Sequence, residues 1–464
     1  MAIDPNHYFR LCREEAQDRR WLVAMDVLAG ATPTVDLLRS FGAARPFVIG
    51  ASRGMGRIPT AAEAEVALLD VSADSMMASI RASENALQSL PGALQARIDR
   101  WDPSGEARTL GPIFGAGRPV AGRSVLGARP VSWQALEDKT VIDAVWDAVG
   151  VARVTSRVVP LAGLREAARA MDLGQGTVWA GDAREGFHGG ASFTRWIRDE
   201  ASAAEAEAHL ATACDRARVM PFLEGIPCSI HGVVFPDHVV ALRPCEMLVF
   251  RSPASGQFTY ARSATFWDPP PEDAAHMRTI ARAVGAHLRR QMGYRGTFTI
   301  DGVMTSEGFR PTELNPRIGA ALGDLCEGLE GLPIAFLNCL IVEGLVRDYR
   351  PEALERMILD HAASHRSGRP SITSARRHAS DEEVEVVFVG DSCRTCVDGE
   401  VADAQIRSGP SAMGTYVRVV LNAQRTPVGP SVAPRVGAAL AFVDRLWGLG
   451  LGTLVPARDV RGTK

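Results

Sequence analysis

At 464 residues the chain is too long for a single hydrophobic core, and its 46% hydrophobic and 23% charged residues are the balance of a globular protein. A net charge of −3 gives no basis for general binding to nucleic acid or to an anionic membrane. The opening MAIDPNHYFRLCREEAQDRR lacks an apolar signal core and no run of about 18 apolar residues occurs, so the expectation is a cytoplasmic chain with neither signal peptide nor membrane span. The eight cysteines are scattered, several in apolar contexts such as Cys228, Cys245, Cys326 and Cys339, which fits reduced thiols better than a disulfide framework.

Residues 1–40 read as helical, with Phe9, Leu11, Trp21, Leu22 and Met25 among charges. Residues 46–50 form a short buried strand that runs into Gly50, Gly54 and Gly56, a glycine-rich turn of the kind that opens nucleotide-binding α/β domains. A short-chain dehydrogenase would add a Tyr-x-x-x-Lys pair, but none of Tyr8, Tyr260, Tyr294, Tyr349 and Tyr416 has a lysine four residues on. Pro59 also leaves little room for a helix that would present its N-terminus to a pyrophosphate. The loop reads as structural or as one wall of a substrate site, and a nicotinamide-dependent reductase is the weakest alternative. A helix over 76–88 and a Gly/Pro/Arg-rich linker over 102–132 complete a first unit, placed at 1–135.

Lysine occurs only at Lys139 and Lys464, so an otherwise arginine-based chain retains one internal ammonium, suited to a single phosphate oxygen. Lys139 opens a helix predicted over 139–149, followed by a strand over 154–159 and a helix over 164–171. The strand Thr177-Val178-Trp179-Ala180 enters a loop, 181–191, whose glycines let backbone N–H groups close on phosphate, with Arg184 or Arg195 adding charge. An Ala/Glu-rich helix over 201–216, a strand over 219–225 and a hairpin over 228–242 come next. Arg243, Glu246, Arg251 and Arg262 follow as a cluster rich in guanidinium forks suited to anionic groups. A strong helix over 274–292 leads to GYRGTFTIDGVMTSEGFRPTELNPRIGAALG, two strands joined at Ser306-Glu307-Gly308. If they pair, Asp301, Glu313 and Asn315 converge; their hard oxygens suit Mg2+, and Arg317 adds a fixed fork for carboxylate or phosphate.

In this order the features resemble the ATP-grasp fold over about residues 138–346. The carrying motifs are Asp138-Lys139, the loop 181–190, the strand 220–225 and Asp301…Glu313-Leu314-Asn315-Pro316-Arg317. The region in front is similar to the Rossmann-like pre-ATP-grasp domain of such enzymes. The VWAGD…GFHGGA and WGLGLG segments look most like the actinobacterial pheganomycin-type peptide ligases. The resemblance implies an α/β chain with domains at 1–135, 136–346 and 347–464. It implies an ATP- and Mg2+-dependent ligase that phosphorylates a carboxylate and lets an amine displace the phosphate, on amino-acid-like or guanidino-acid and peptide substrates in secondary metabolism. In that reading Asp301, Glu313 and Asn315 hold Mg2+, and Lys139 and Arg184 touch phosphate under the backbone of Gly189 and Gly190. Met220, Phe222 and Leu223 line the adenine slot, and Arg317 and Arg243 meet substrate.

The chain departs from that pattern in three places. The strand 177–180 lacks the usual second lysine, Met220 replaces the hinge glutamate, and Pro227 stands where a ribose-binding glutamate is usual, a role Glu224 could take over. These departures motivate an alternative, a degenerate ATP-grasp protein that binds nucleotide as a partner subunit. Beyond 350, strands over 383–389 and 416–421 and a helix over 434–447 read as a small α/β unit that closes over the site or forms a homodimer contact, with a mobile loop over 366–374. Cys393 and Cys396 make a single C-x-x-C pair, read as ordinary thiols rather than as a zinc or redox centre.

Overall fold

Four β-sheets organise the chain. The computed structural model describes residues 4, 6–111, 117–182, 184, 186, 189, 191–377 and 381–462. The first sheet is parallel, in the order Glu65–Leu68, Phe47–Ser52, Trp21–Val27, Arg108–Leu110. The N-terminal stretch is therefore not helical throughout: helices His7–Ala16 and Thr32–Ser40 flank a central strand. The apolar run Trp21-Leu22-Val23-Ala24 is buried on both faces, as in a parallel sheet covered on both sides, so it shows no amphipathic period. Trp21 and Val23 join a core with Phe41, Phe336, Leu337 and Ile358, whereas Leu22 and Ala24 pack with Phe47, Leu87 and Ile98. The 102–132 stretch is more than a linker, since Arg108–Leu110 is the edge strand of this sheet. Gly50 and Gly54 approach Leu28 and Val27 so closely that a Cβ at either would collide with them. That packing accounts for the glycine pattern without a dinucleotide.

The second sheet is antiparallel, ordered Arg157–Pro160, Arg216–Pro221, Thr177–Gly181, Thr194–Ile197, and is backed by helices Leu164–Met171 and Glu200–Leu210. The helix expected over 139–149 is confined to Asp143–Ala148. Asp138 Oδ1 accepts from Thr140 N at 2.8 Å and Thr140 Oγ1 at 2.7 Å, and this side-chain turn holds Lys139 outside the helix.

The third sheet has six strands, with the core path Phe258–Ala264, Cys245–Arg251, Ile226–Val234, Gly296–Thr305, Gly308–Asn315. Its alternation sorts the chemistry. Cys228, Ile230, Phe298, Ile300 and Met304 pack against Met277, Ile280, Val284 and Leu288 of helix Pro271–Met292. The opposite face carries Ser229, His231, Thr297, Thr299 and Asp301. Helix Pro271–Met292 has Glu272 and Asp273 in its first turn, Arg289 and Arg290 in its last, and Gly293 at φ +60° past its end, so charge and cap agree with its direction.

The fourth sheet runs Ser371–Ser374, Gly414–Leu421, Ala404–Ser411, Glu383–Val389, Ser392–Thr395 and packs on helix Ala433–Trp447. The stretch 366–374, expected to be mobile, is anchored instead. Arg366 Nη1 donates to Thr265 O at 2.8 Å and to Asp268, Gly368 bridges Ala264, and Ser371–Ser374 pairs with Gly414–Leu421. All eight cysteines are free, with Cys393 buried on its strand. Among the described residues no helix is long and apolar enough to cross a membrane.

Candidate active site

Gly296–Thr305 and Gly308–Asn315 pair antiparallel with Asp301 opposite Glu313 and Thr299 opposite Asn315. Asn315 Nδ2 donates to Asp301 Oδ2 at 2.7 Å, and Arg317 Nη2 donates to Asn315 Oδ1 at 2.9 Å. Lys139 Nζ reaches Glu313 Oε1 at 2.9 Å from a part of the chain more than a hundred residues away in sequence. Burial, then the Glu313 carboxylate, holds the Asp301 carboxyl well above the usual carboxylate range, against the pull of Arg317, Lys139 and Asn315. Two carboxylates and an amide oxygen are hard donors that fit Mg2+ in kind, but they do not fill a coordination shell. Among the described residues no three His, Cys, Asp or Glu side chains converge on one point, so phosphate oxygens and water would supply the remaining ligands.

Two clefts border this cluster, one at Lys139 and Glu313 and the other at Arg317. The first, about 940 Å³ of empty space partly open to solvent, runs between the second and third sheets. Val178, Ala180, Met220, Phe222, Leu223 and Val303 form its apolar walls, and Lys139, Arg218, Glu224 and Glu313 supply its charge. Trp179 points the other way, into the core behind the second sheet, where its indole N–H donates to Thr177 Oγ1 at 3.1 Å. The residues facing the cleft at the position of the missing second lysine are thus Val178 and Ala180. Arg218, on the neighbouring strand Arg216–Pro221, is the cation that the sequence reading missed. It is buried, and Asp143 holds it through Nη2 at 2.7 Å and Nε at 2.9 Å.

Glu224 lines this cleft with its carboxylate already engaged by Arg251 Nη1 at 3.0 Å and Arg458 Nη2 at 3.4 Å. Arg251 in turn lies over the Trp196 and Phe222 rings, which stack on each other 4.4 Å apart. The Phe222 N–H donates to Gly176 O at 3.0 Å.

The second cavity, about 1740 Å³ of empty space, separates the parallel sheet from the third sheet. Met25, Leu37 and Phe336 line its apolar side, and Arg118, Arg129 and Arg317 bring positive charge. Glu137, also missed in the sequence, bridges Arg129 Nη1 at 2.8 Å and Arg317 Nε at 3.2 Å and so fixes both forks.

The remaining predicted residues lie elsewhere. Arg184 pairs with Asp215 at 2.9 Å and lines neither cavity. Gly189 N–H donates to Met77 Sδ at 3.1 Å, which ties the glycine-rich loop to the first unit. Gly190 lies outside the described residues. Arg243 pairs with Asp268 beside Arg366 and also lines neither cavity.

No protein-family model matches the chain, and no curated protein matches it. Solved structures do. The biotin carboxylase domain of 2-oxoglutarate carboxylase from Hydrogenobacter thermophilus, solved with ADP, magnesium and bicarbonate, is similar over 95% of this chain and 91% of that one, at 14% identity and a TM-score of 0.52. Carboxyaminoimidazole ribonucleotide synthase from Aspergillus clavatus, solved with ATP, overlaps 93% of this chain and 99% of that one at 10% identity and a TM-score of 0.49. An N5-carboxyaminoimidazole ribonucleotide synthetase solved with ADP overlaps 92% and 98% at 11% identity and a TM-score of 0.48. The chain therefore has the ATP-grasp fold, with a Rossmann-like unit in front.

Proposed function

We propose that the protein is an ATP-dependent carboxylate–amine ligase. The observation that carries this reading is that two clefts border the cluster of Asp301, Glu313, Asn315 and Arg317: an apolar slot lined in part by Lys139 and Glu313, and a second, largely apolar cavity lined in part by Arg317. A flat apolar base fits between Val178, Met220, Leu223 and Val303, and a polyphosphate would extend toward Lys139. An acid in the second cavity would place its carboxylate at the Arg317 fork, next to the terminal phosphate.

Asp301, Glu313 and Asn315 would hold Mg2+, which when bound would supply neutralisation of the phosphate charge. The chain's own residues do the rest. Lys139, released from Glu313, and buried Arg218 draw charge from the phosphates. Glu137 keeps the Arg317 guanidinium flat against the incoming carboxylate. In the first step a carboxylate oxygen–phosphorus bond forms as the bond from that phosphorus to the bridging oxygen of ADP breaks. In the second, the amine nitrogen attacks the acyl carbon, the carbon–oxygen bond to phosphate breaks, and the nitrogen gives up one proton. The backbone of Gly189 covers the phosphates once it leaves Met77, and Gly190 belongs to the same proposal. Arg184 and Arg243 are left out, because each is paired away from both cavities.

We assign residues 1–135, 136–346 and 347–464 as the working units of a soluble enzyme. The substrate is read as amino-acid-like or guanidino, in keeping with the pheganomycin-type segments of the sequence. The test is ADP release across a panel of acids with hydroxylamine as a general nucleophile, which traps an acyl phosphate as its hydroxamate. Binding of Mg-ATP with no ADP from any acid would favour the degenerate nucleotide-binding reading instead, which the engaged Glu224 carboxylate motivates.

A further inference from the structure

The second cavity opens at the carboxyl ends of the parallel strands Trp21–Val27 and Arg108–Leu110, where Met25, Leu110 and Gly111 line it. Helix Thr32–Ser40 packs on one face of the strand Trp21–Val27, and helix Met76–Gln88 packs on the other. A crevice outside strand ends, with helices on both faces, is where open α/β sheets take ligands. Helix Met76–Gln88 buries Met77, Ile80, Ser83 and Leu87. Glu84 and Gln88, one turn apart at the edge of that face, line the cavity. Gln88 Nε2 is engaged, donating to Pro119 O at 3.3 Å. Glu84 is half-buried, and among the described residues none makes a hydrogen bond or an ion pair with it. It is the one carboxylate among the described residues that line this cavity.

The wall on the side of the third sheet carries the opposite charge. Arg129 and Arg317 line the cavity there, both held by Glu137, and Arg129 Nη1 also donates to Pro316 O at 3.1 Å. Thr297 lines the same wall, 3% exposed, and its Oγ1 has no hydrogen-bond partner. The Thr297 N–H is fixed on Asn338 Oδ1 at 2.8 Å, so the hydroxyl is the group left over for a ligand. Between the two walls Met25, Leu37, Leu110 and Phe336 supply apolar surface. On the Glu84 side, Asp26 follows Met25 on its strand, and its Oδ1 is buried without a hydrogen-bond partner. Burial, then Asp26, raises the Glu84 carboxyl above its usual range, against the pull of Arg118 and Arg81. Arg118 is itself exposed. A cation arriving at Glu84 would offset the burial of that carboxylate.

We propose that Glu84 is the specificity residue of the second cavity and binds an ammonium group of the acid substrate that lies remote from the reacting carboxylate. The substrate is then an ω-amino acid, with its carboxylate at Arg317, its chain along the apolar surface and its ammonium at Glu84. An α-amino acid fits less well, because its ammonium would lie beside Arg129 and Arg317, two guanidinium groups that share the single carboxylate of Glu137. A charge-assisted hydrogen bond to Glu84 rewards the remote position, and the arginines penalise the near one. This inference rests on the ligase reading and adds the class of acid.

The test uses the full chain, Mg-ATP and hydroxylamine, with straight-chain ω-amino acids compared against methyl-ended acids of the same length and against their α-amino isomers. Expected is a preference for the best ω-amino acid over both counterparts of at least about tenfold in kcat/KM for hydroxamate, from one charge-assisted contact. Glu84→Gln should remove most of that preference, its loss for the ω-amino acid exceeding its loss for the methyl-ended acid by about tenfold. Glu84→Lys should turn the preference toward dicarboxylic acids, which a merely structural role for Glu84 would not do. If neither variant folds, the wild-type comparison decides alone. Acids without a remote ammonium used as well as those with one would overturn the Glu84 assignment and leave the ligase reading standing. Absence of hydroxamate with every acid would overturn both.

Discussion

Lys139 Nζ sits 2.9 Å from Glu313 Oε1, so the chain's one internal lysine rests on a carboxylate proposed to bind metal. The pair neutralises both charges, and in the proposed reaction phosphate and metal would separate them. Lys139→Met should therefore raise the KM for ATP and lower kcat together, with a combined loss of about 10^2–10^3 in kcat/KM, the scale for one positioned donor to transferring phosphate. Steady-state ADP release at varied ATP measures it, and a normal kcat/KM would remove Lys139 from the site.

Asp143 carries the buried Arg218 through two charge-assisted hydrogen bonds. Asp143→Ala leaves a guanidinium without its counter-charge at the cleft wall. Urea unfolding should show a loss of about 3 kcal/mol, the scale for breaking a buried ion pair on one side. The KM for ATP should rise as Arg218 loses its orientation. A variant of unchanged stability would show that solvent reaches Arg218 in solution.

A Cβ at Gly319 would run into Thr299 Oγ1 and His231 Nε2. Gly319 lies two residues past Arg317, so Gly319→Ala must move the segment that carries the fork. Turnover should fall by about 10^2, the cost of a reacting group misplaced by about 1 Å. Stability should fall by about 1–3 kcal/mol from overpacking. Gly319→Ala combined with Thr299→Ala and showing recovered activity would confirm the steric origin; a fully active single variant would contradict it.

Glu246 is buried on the third sheet, accepting from Val432 N at 3.0 Å and from Ser431 Oγ. Burial pushes its carboxyl up to about 7, against those hydrogen bonds. Because the folded value exceeds the unfolded one, its contribution to stability is complete below the unfolded value and is lost as pH rises through about 7. The difference corresponds to about 3 kcal/mol between the two limits. Glu246→Gln keeps an acceptor for Val432 without the charge, so its stability advantage over wild type should appear at pH 8 and vanish near pH 4. An advantage independent of pH, measured by urea unfolding, would refute this.

The convergence of the candidate site residues was largely legible because it is local. Glu313 and Asn315 follow the two-residue period of a strand, Arg317 follows directly, and the pairing of the two strands across their short turn brings Asp301 opposite Glu313. Their supports were not legible. Arg218 and Asp143 are 75 residues apart and Arg317 and Glu137 are 180 apart, and each reads alone as an ordinary surface charge. Trp179 illustrates a different limit: Val178, Trp179 and Ala180 are all apolar, so alternation could not say which faced the cleft, and the largest took the core. Arg184 stood in the right loop but found Asp215, a partner 31 residues on. At the N-terminus, burial on both faces erased the period that separates strand from helix over Trp21–Val27.

The most direct test of the central claim is acid-dependent hydroxamate formation with Mg-ATP, comparing wild type with Glu313→Gln. The account predicts equal amounts of ADP and hydroxamate from wild type, and a loss of about 10^3 in rate for Glu313→Gln with its thermal unfolding retained. Turnover unchanged in Glu313→Gln, or ATP bound with no hydroxamate from any acid, would contradict it.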